Sequence, residues 1–309
     1  MPNLHDLTLA ELANALSERR VSSREATDHS LDRIVALDGR DKLNAYLTVL
    51  PEGARAQADA ADARQAAGRP RGRLDGIPIA LKDLFDTAGL ATTAASRVFA
   101  DRVPSEDATV VRKLTEAGAV LLGKTNLMEF AYGYPHPAYG ETRNPWDPAR
   151  TAGGSSGGSA AAIAAGLAWG TFGSDTGGSI RSPAAYCGVT GLKPTFGLVS
   201  CAGVVPLSPS LDHAGPITRT AEDAALLLAA VAGHDQADPT SAPVSAADAV
   251  LRELEALVAD LGWTTVTAPL KGLRIGVVPR LFDLAVTAGL RAVVERAVQA
   301  LANLGAEIV

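Results

Sequence analysis

Apolar residues near the start of the chain recur at helical spacing behind polar start signals. Leu9, Leu12, Ala13 and Leu16 form one stripe, and Leu31, Ile34 and Val35 form another. Ahead of each lies a hydroxyl residue three places before a glutamate, Thr8 with Glu11 and Ser22 with Glu25, a pairing that satisfies orphan N–H groups at a helix start. Residues 45–50 read as a short strand, and residues 51–68, rich in alanine with scattered charges, as a solvent-facing helix. Residues 76–83 are an apolar strand that runs directly into Lys82. An amphipathic helix is predicted over 107–118, stopped by Gly118, with a strand over 119–122. Residues 128–145 form an aromatic, proline-rich loop that could line a pocket or pack as surface. Residues 188–199 are apolar with turns. Helices are expected over 220–233 and over 245–261, the latter with Ser245 as N-cap. A strand over 273–278, a helix over 291–304 ended by Gly305, and a strand over 306–309 complete the pattern.

Between these segments, residues 151–174 carry no charge at all. The run is too rich in glycine, alanine and serine to face hydrocarbon, where a spanning helix needs about 20 predominantly apolar residues, so it is expected to be buried in protein. Two loops, Gly153-Gly-Ser-Ser-Gly-Gly-Ser159 and Gly173-Ser-Asp-Thr-Gly-Gly-Ser179, flank its alanine-rich centre. Glycine gives up more conformational entropy on ordering than other residues. Seven of them here (153, 154, 157, 158, 173, 177 and 178) mean either backbone brought close to a ligand or tight turns packed under a core helix.

With 309 residues the chain can bury a full core, as one large α/β domain or two small ones. Neither an internal repeat nor a low-complexity linker divides it, so one domain over 1–309 is expected. A net charge of −6 argues against nucleic acid as an obligatory partner. Cys187 and Cys201 form no CxxC, and no HExxH is present, which fits a reducing cytoplasm without zinc or disulfides. The opening residues lack a basic stretch followed by an apolar one, so no signal peptide is read there.

Three candidate chemistries compete. Gly118-Ala-Val-Leu-Leu-Gly-Lys-Thr125 matches the phosphate-loop pattern letter for letter. Its mechanism needs a strand, a flexible loop and then a helix, whereas this segment reads as helix end and strand, so nucleotide binding is rejected. Gly153-Gly-Ser155-Ser-Gly157 fits the nucleophile elbow, with Asp212, His213 and His234 downstream, but the elbow must follow a strand. The two prolines of 144–151 deny it one. The third scheme pairs the two serine loops with Lys82, which is either a solvated surface group or, at the end of a buried strand, an amine made neutral by burial.

In Gly76–Lys82, Gly153–Ser159 and Gly173–Arg181 followed by Ser182-Pro183, the chain resembles the amidase signature family. Asn144-Pro-Trp146, Gly191-Leu-Lys-Pro194, Ser210-Leu-Asp212 and Gly215-Pro216 extend the resemblance over nearly the whole chain. It implies an α/β fold with a mixed, twisted central sheet covered by helices on both faces. A helical flank would occupy about 1–45, a catalytic core about 72–235, and an incomplete C-terminal portion 236–309, since family domains continue further. The resemblance also implies a Ser–cis-Ser–Lys triad, with Ser179 as nucleophile, Ser155 as bridge across a cis bond from Gly154, and Lys82 as base. The 24 positions between Ser155 and Ser179 select Ser155 over Ser156.

With that assignment, the N–H groups of Thr176, Gly177, Gly178 and Ser179 would hold the oxyanion, and by the same resemblance Glu129 and Phe130 would line the acyl pocket. Ser156, Asp175 and Arg181 would support the loops. No metal or cofactor is implied, and the histidines have no role. The reaction expected is hydrolysis of a small carboxylic amide by a cytoplasmic enzyme, alone or as a homodimer, with neither membrane nor nucleic acid as direct partner. Two alternatives stand beside it. One is the glutaminase subunit of a tRNA-dependent amidotransferase, working with partner subunits. The other is a fragment with intact motifs but no turnover.

Overall fold

Both capping boxes form. Thr8 accepts from the Glu11 N–H at the start of α1 (Leu9–Ser17), and Ser22 accepts from the Glu25 N–H at the start of α2 (Ser23–Leu37), while each glutamate reaches back to the cap N–H. The α1 stripe is buried as expected. On α2 the stripe stops at Leu31 and Ile34, and Val35 is 78% exposed, because one residue is about 100° around a helix of 3.6 residues per turn. The buried face continues instead through Ala26, Thr27 and Ser30. The computed structural model describes residues 3–259, 270–278, 280 and 286–309.

Six strands form one mixed sheet: β1 (Tyr46–Val49), β2 (Pro78–Lys82), β3 (Val120–Thr125), β4 (Gly170–Asp175), β5 (Thr190–Gly191) and β6 (His213–Thr218), in the order β1-β3-β2-β4-β6-β5. β2 runs parallel to β3 and to β4, and the other pairs are antiparallel. Helices flank this sheet. α3 (Pro51–Ala66) is not wholly solvent-facing, since Ala54, Ala58 and Ala61 make a narrow buried face. α4 (Thr109–Glu116), α5 (Gly157–Ala164), α6 (Arg181–Cys187), α7 (Ala221–Val231) and α8 (Val244–Ala259) follow. The uncharged run is buried in protein, with every residue of α5 from Gly157 to Ile163 inside. Among the described residues no helix is long and apolar enough to cross a membrane.

The central strands explain what the pattern missed. β4 has only Thr171 and Phe172 as good strand formers between two glycines. Those glycines are there for space, because a Cβ at Gly173 would sit 2.7 Å from Ser156 Oγ. β6 contains Pro216, which argues against a strand when read alone. The segment that matched the phosphate loop is strand β3, and its Lys124 is fully buried. Ser245 lies inside α8, which begins one residue earlier, and residues 260–261 of the expected helix lie outside the described residues.

The chain divides into two compact units, Met1–Ala259 and Asp260–Val309. In the second unit, a parallel pair joins β7 (Arg274–Ile275) to β8 (Glu307–Ile308), far shorter than the strand expected over 273–278. A helix over Ala288–Asn303, N-capped by Thr287, lies between them in sequence.

β2, β3 and β4 all point the same way, so Lys82, Thr125 and Asp175 end at one edge of the sheet. Below that edge lies a buried ion pair, with Lys124 Nζ 3.4 Å from Asp83 Oδ1 and donating to Phe85 O at 2.6 Å and Thr92 Oγ1 at 2.9 Å. Burial pushes Asp83 up and Lys124 down, and each partner's charge opposes the other's shift. Removing one member of such a pair strands the other charge. Lys124→Met should therefore cost about 3–5 kcal/mol, read as a lower urea midpoint at pH 7, and adding Asp83→Asn should recover part of it.

Candidate active site

Lys82 is the last residue of β2, and every residue of that strand is buried. Its side chain is completely excluded from solvent. Nζ lies 2.7 Å from Ser155 Oγ and 2.8 Å from Ser174 Oγ. Burial is the main influence on this amine and lowers it from its usual 10.5 to about 7, against the opposing pull of Asp175 and Asp212. Of the two readings of Lys82, solvated or buried, the structure gives the buried one.

Ser155 reaches the lysine from the loop ahead of α5, and the Gly154–Ser155 peptide is cis. No strand leads into this serine, so the nucleophile-elbow geometry is absent; the loop enters from an isolated bridge between Arg143 and Thr151. The start of α5 is pressed against the chain beside β3, where a Cβ on Gly158 would lie 2.4 Å from Ala45 O. Ser156 joins the two serine loops, its N–H donating to Ser179 O at 3.1 Å and its hydroxyl to Ser174 O at 3.2 Å.

The second loop leaves β4 and is wound around one carboxylate. Asp175 accepts from the N–H of Gly178 at 2.8 Å and of Ile180 at 3.1 Å, and from the Arg181 guanidinium at 3.0 and 2.9 Å. Burial pushes Asp175 up, but these donors outweigh it and hold the carboxyl below its usual range. The N–H of Gly178, expected among the oxyanion donors, is bonded to Asp175 Oδ1. The N–H groups of Thr176, Gly177 and Ser179 have no hydrogen bond among the described residues, and a Cβ on Gly177 would meet nothing within 4 Å.

Ser179 is half-buried, and its hydroxyl carries no hydrogen bond among the described residues. The structure therefore joins Lys82 to Ser155 but leaves the step from Ser155 to Ser179 unclosed. Such bonds often tighten only when substrate is bound. Glu129 and Phe130 are engaged elsewhere. The Glu129 carboxylate accepts from Ser96 Oγ at 2.6 Å, and the Phe130 ring packs edge-on against Phe99 with centroids 5.2 Å apart. The small cavity of about 10 Å³ beside Ser155 is lined by their neighbour Met128, with Gly153.

Three residues around Lys82 and its loops were given no part beside the lysine by the sequence reading. Ser174, the second partner of Lys82, lines a cavity of about 230 Å³ with Cys201, Asp212 and His213. Asp212 accepts the Thr176 hydroxyl at 2.5 Å and the N–H groups of Leu207 and Ser208 at 2.9 Å each. His213 Nδ1 lies 2.7 Å from Leu211 O and 3.1 Å from Asp175 O, both pure acceptors, so this nitrogen carries the proton and braces the loop. The strand pairing of Ser174 with Ala214 was the available signal, but it depends on β6, which the pattern concealed. Burial pushes the thiols of Cys187 and Cys201 up to about 12, which keeps both protonated.

Comparison with known proteins gives the same family. Residues 25–309 match the Amidase family model. A glutamyl-tRNA(Gln) amidotransferase subunit of Moorella thermoacetica is 48% identical over 306 residues, covering 98% of this chain and 60% of that protein. Native peptide amidase from Stenotrophomonas maltophilia superposes with a TM-score of 0.83 at 37% identity, over 98% of this chain and 61% of that one. The corresponding glutamyl-tRNA(Gln) amidotransferase subunit from Thermotoga maritima gives 0.78 at 35% identity, over 100% and 62%. The chain spans about 60% of the length of the curated relatives it matches. Matching the family model over most of its length and superposing on these folds, it belongs to the amidase family.

Proposed function

We propose that this chain performs acyl transfer on a carboxylic amide, with Ser179 as nucleophile, Ser155 as bridge and neutral Lys82 as base. The observation that carries the reading is the fully buried Lys82 amine 2.7 Å from Ser155 Oγ. A serine hydroxyl is a weak nucleophile and needs a base within reach. Ser179 Oγ attacks the amide carbon while its proton passes to Ser155 and that of Ser155 to Lys82 Nζ. The N–H groups of Thr176, Gly177 and Ser179 support the oxyanion, each donor being worth roughly 2.7–4 kcal/mol in such sites. On collapse the C–N bond breaks, and the leaving nitrogen takes the proton back through Ser155. Water then attacks the ester by the same relay and releases the acid.

A second reading is supported by the 48% identity to an amidotransferase subunit: the same relay would release ammonia from glutamine beside partner subunits. The first reading needs only a small amide, acting alone or as a homodimer. Turnover of glutamine that requires added partner subunits would select the second reading, and turnover of simple amides by the chain alone would select the first.

Ser179→Ala should abolish labelling by a fluorophosphonate, and Ser155→Ala should slow it by roughly 10²-fold or more; undiminished labelling of Ser179→Ala would remove Ser179 as nucleophile. Because only the neutral amine accepts a proton, labelling should rise with pH through a midpoint near 7 and level off above it. A flat profile between about pH 6 and 9 would contradict this.

The same burial sets a stability expectation. Between about 7 and 10.5 the unfolded chain holds a proton at Lys82 that the folded chain lacks, so this group's contribution to stability rises with pH across that window. Below about 7 both states are protonated, and its cost is greatest and constant. Lys82→Met should consequently raise the melting temperature at pH 7 and flatten its climb towards pH 10. A melting temperature that falls at pH 7 would show that the amine is not held there at a desolvation cost.

A further inference from the structure

We propose that Ser174 is a positioning residue for this reaction: its oxygen accepts an N–H of neutral Lys82 and so keeps the amine's lone pair on Ser155. The inference rests on the reading of Lys82 as the base. A neutral amine has two N–H groups and one lone pair. Its hydrogen-bond partners among the described residues are Ser155 Oγ at 2.7 Å and Ser174 Oγ at 2.8 Å. To take a proton from Ser155, Nζ must turn its lone pair towards Ser155. Ser174 must then be the acceptor, because a hydroxyl donating from that side would occupy the same lone pair and stop the relay.

Two features hold Ser174 in the accepting role. Its place is fixed by the sheet, since it pairs with Ala214 across β4 and β6 and its carbonyl takes the Ser156 hydroxyl. Its side chain also lines a cavity of about 230 Å³ that is mostly apolar but shared with Asp212 and His213, and a space of that size with such polar partners can hold water. The Ser174 O–H can therefore point into the cavity while its oxygen faces Lys82. Ser155 opens on a different and much smaller cavity, so the two hydroxyls that meet at Nζ sit in separate surroundings.

The sign of a titration shift decides between the two roles. Accepting from Nζ favours the ammonium over the amine, because the bond is stronger when charge-assisted. Loss of an accepting Ser174 should therefore move the Lys82 midpoint down, and loss of a donating one should move it up. The charged groups around Lys82 are Asp175 on β4, paired with Arg181 of α6, Asp212 ahead of β6, and the adjoining Asp83 just after β2, paired with Lys124 on β3. None of them hydrogen-bonds Nζ, and all remain in a Ser174 variant.

The test uses the 309-residue chain with ¹⁵N-labelled lysine, as wild type and as Ser174→Ala, Ser174→Cys and Ser174→Thr. The Lys82 Nζ resonance, assigned by its loss in Lys82→Met, is titrated, and fluorophosphonate labelling is timed across pH. Ala and Cys should lower the Nζ midpoint and slow plateau labelling by roughly tenfold or more. Thr, which keeps the oxygen, should restore both to within about threefold of wild type. Labelling by Ser174→Ala at the wild-type rate or faster, or a midpoint that stays or rises, would overturn the proposal. If no form labels, the reading of Ser179 fails instead, and the direction of the Nζ midpoint still decides the role of Ser174. The Cys variant, similar in size but a poor acceptor, carries the test if Ala does not fold.

Discussion

Everything at this site depends on keeping one ammonium out of water. Two carboxylates stand close enough to Lys82 to pull it back towards the charged form, and burial still brings it to about 7. The reason lies in where those acids spend their charge. Asp175 is met by Arg181 and by the N–H groups of Gly178 and Ile180, and Asp212 by Thr176, Leu207 and Ser208. Each is fully engaged in shaping a loop. What remains for Lys82 is two neutral hydroxyls, which do not add a carboxylate's preference for the ammonium.

Lys124 makes the contrast. It sits one strand away, opposite Leu81 in the β2–β3 register, and is equally buried. Its partners are a carboxylate and a carbonyl oxygen, Asp83 and Phe85, which favour the ammonium. Two lysines at the same sheet edge thus face opposite surroundings. One ties β3 to the turn after β2 through a carboxylate, and the other meets only two hydroxyls. The difference lies in partner type rather than depth, so burial alone would not have told them apart.

The relay residues were legible because their motifs are local: a strand running into Lys82, and two glycine-serine loops. The scaffold around them was less so. β4 and β6 were missed because two glycines and a proline lower their propensity, yet both are placed by pairing with neighbours far away in sequence. The places of Ser174 and His213 beside this site went unread for the same reason. The loop glycines illustrate the limit. Those at 158 and 173 serve close packing inside the protein, whereas the one at 177 faces open space. Of the two explanations the sequence offered for all seven, close packing holds at 158 and 173. Glu129 and Phe130 carried a role by resemblance alone, and their observed contacts are with Ser96 and Phe99.

The proton relay and the substrate question separate physically. Lys82, Ser155, Ser174 and Ser179 all lie in the first compact unit, on or beside strands of one sheet, and their geometry is set by pairing and loop contacts within it. A peptide amidase and an amidotransferase component superpose on the chain about equally well. A shared fold cannot distinguish them, because recognition depends on groups grafted around it.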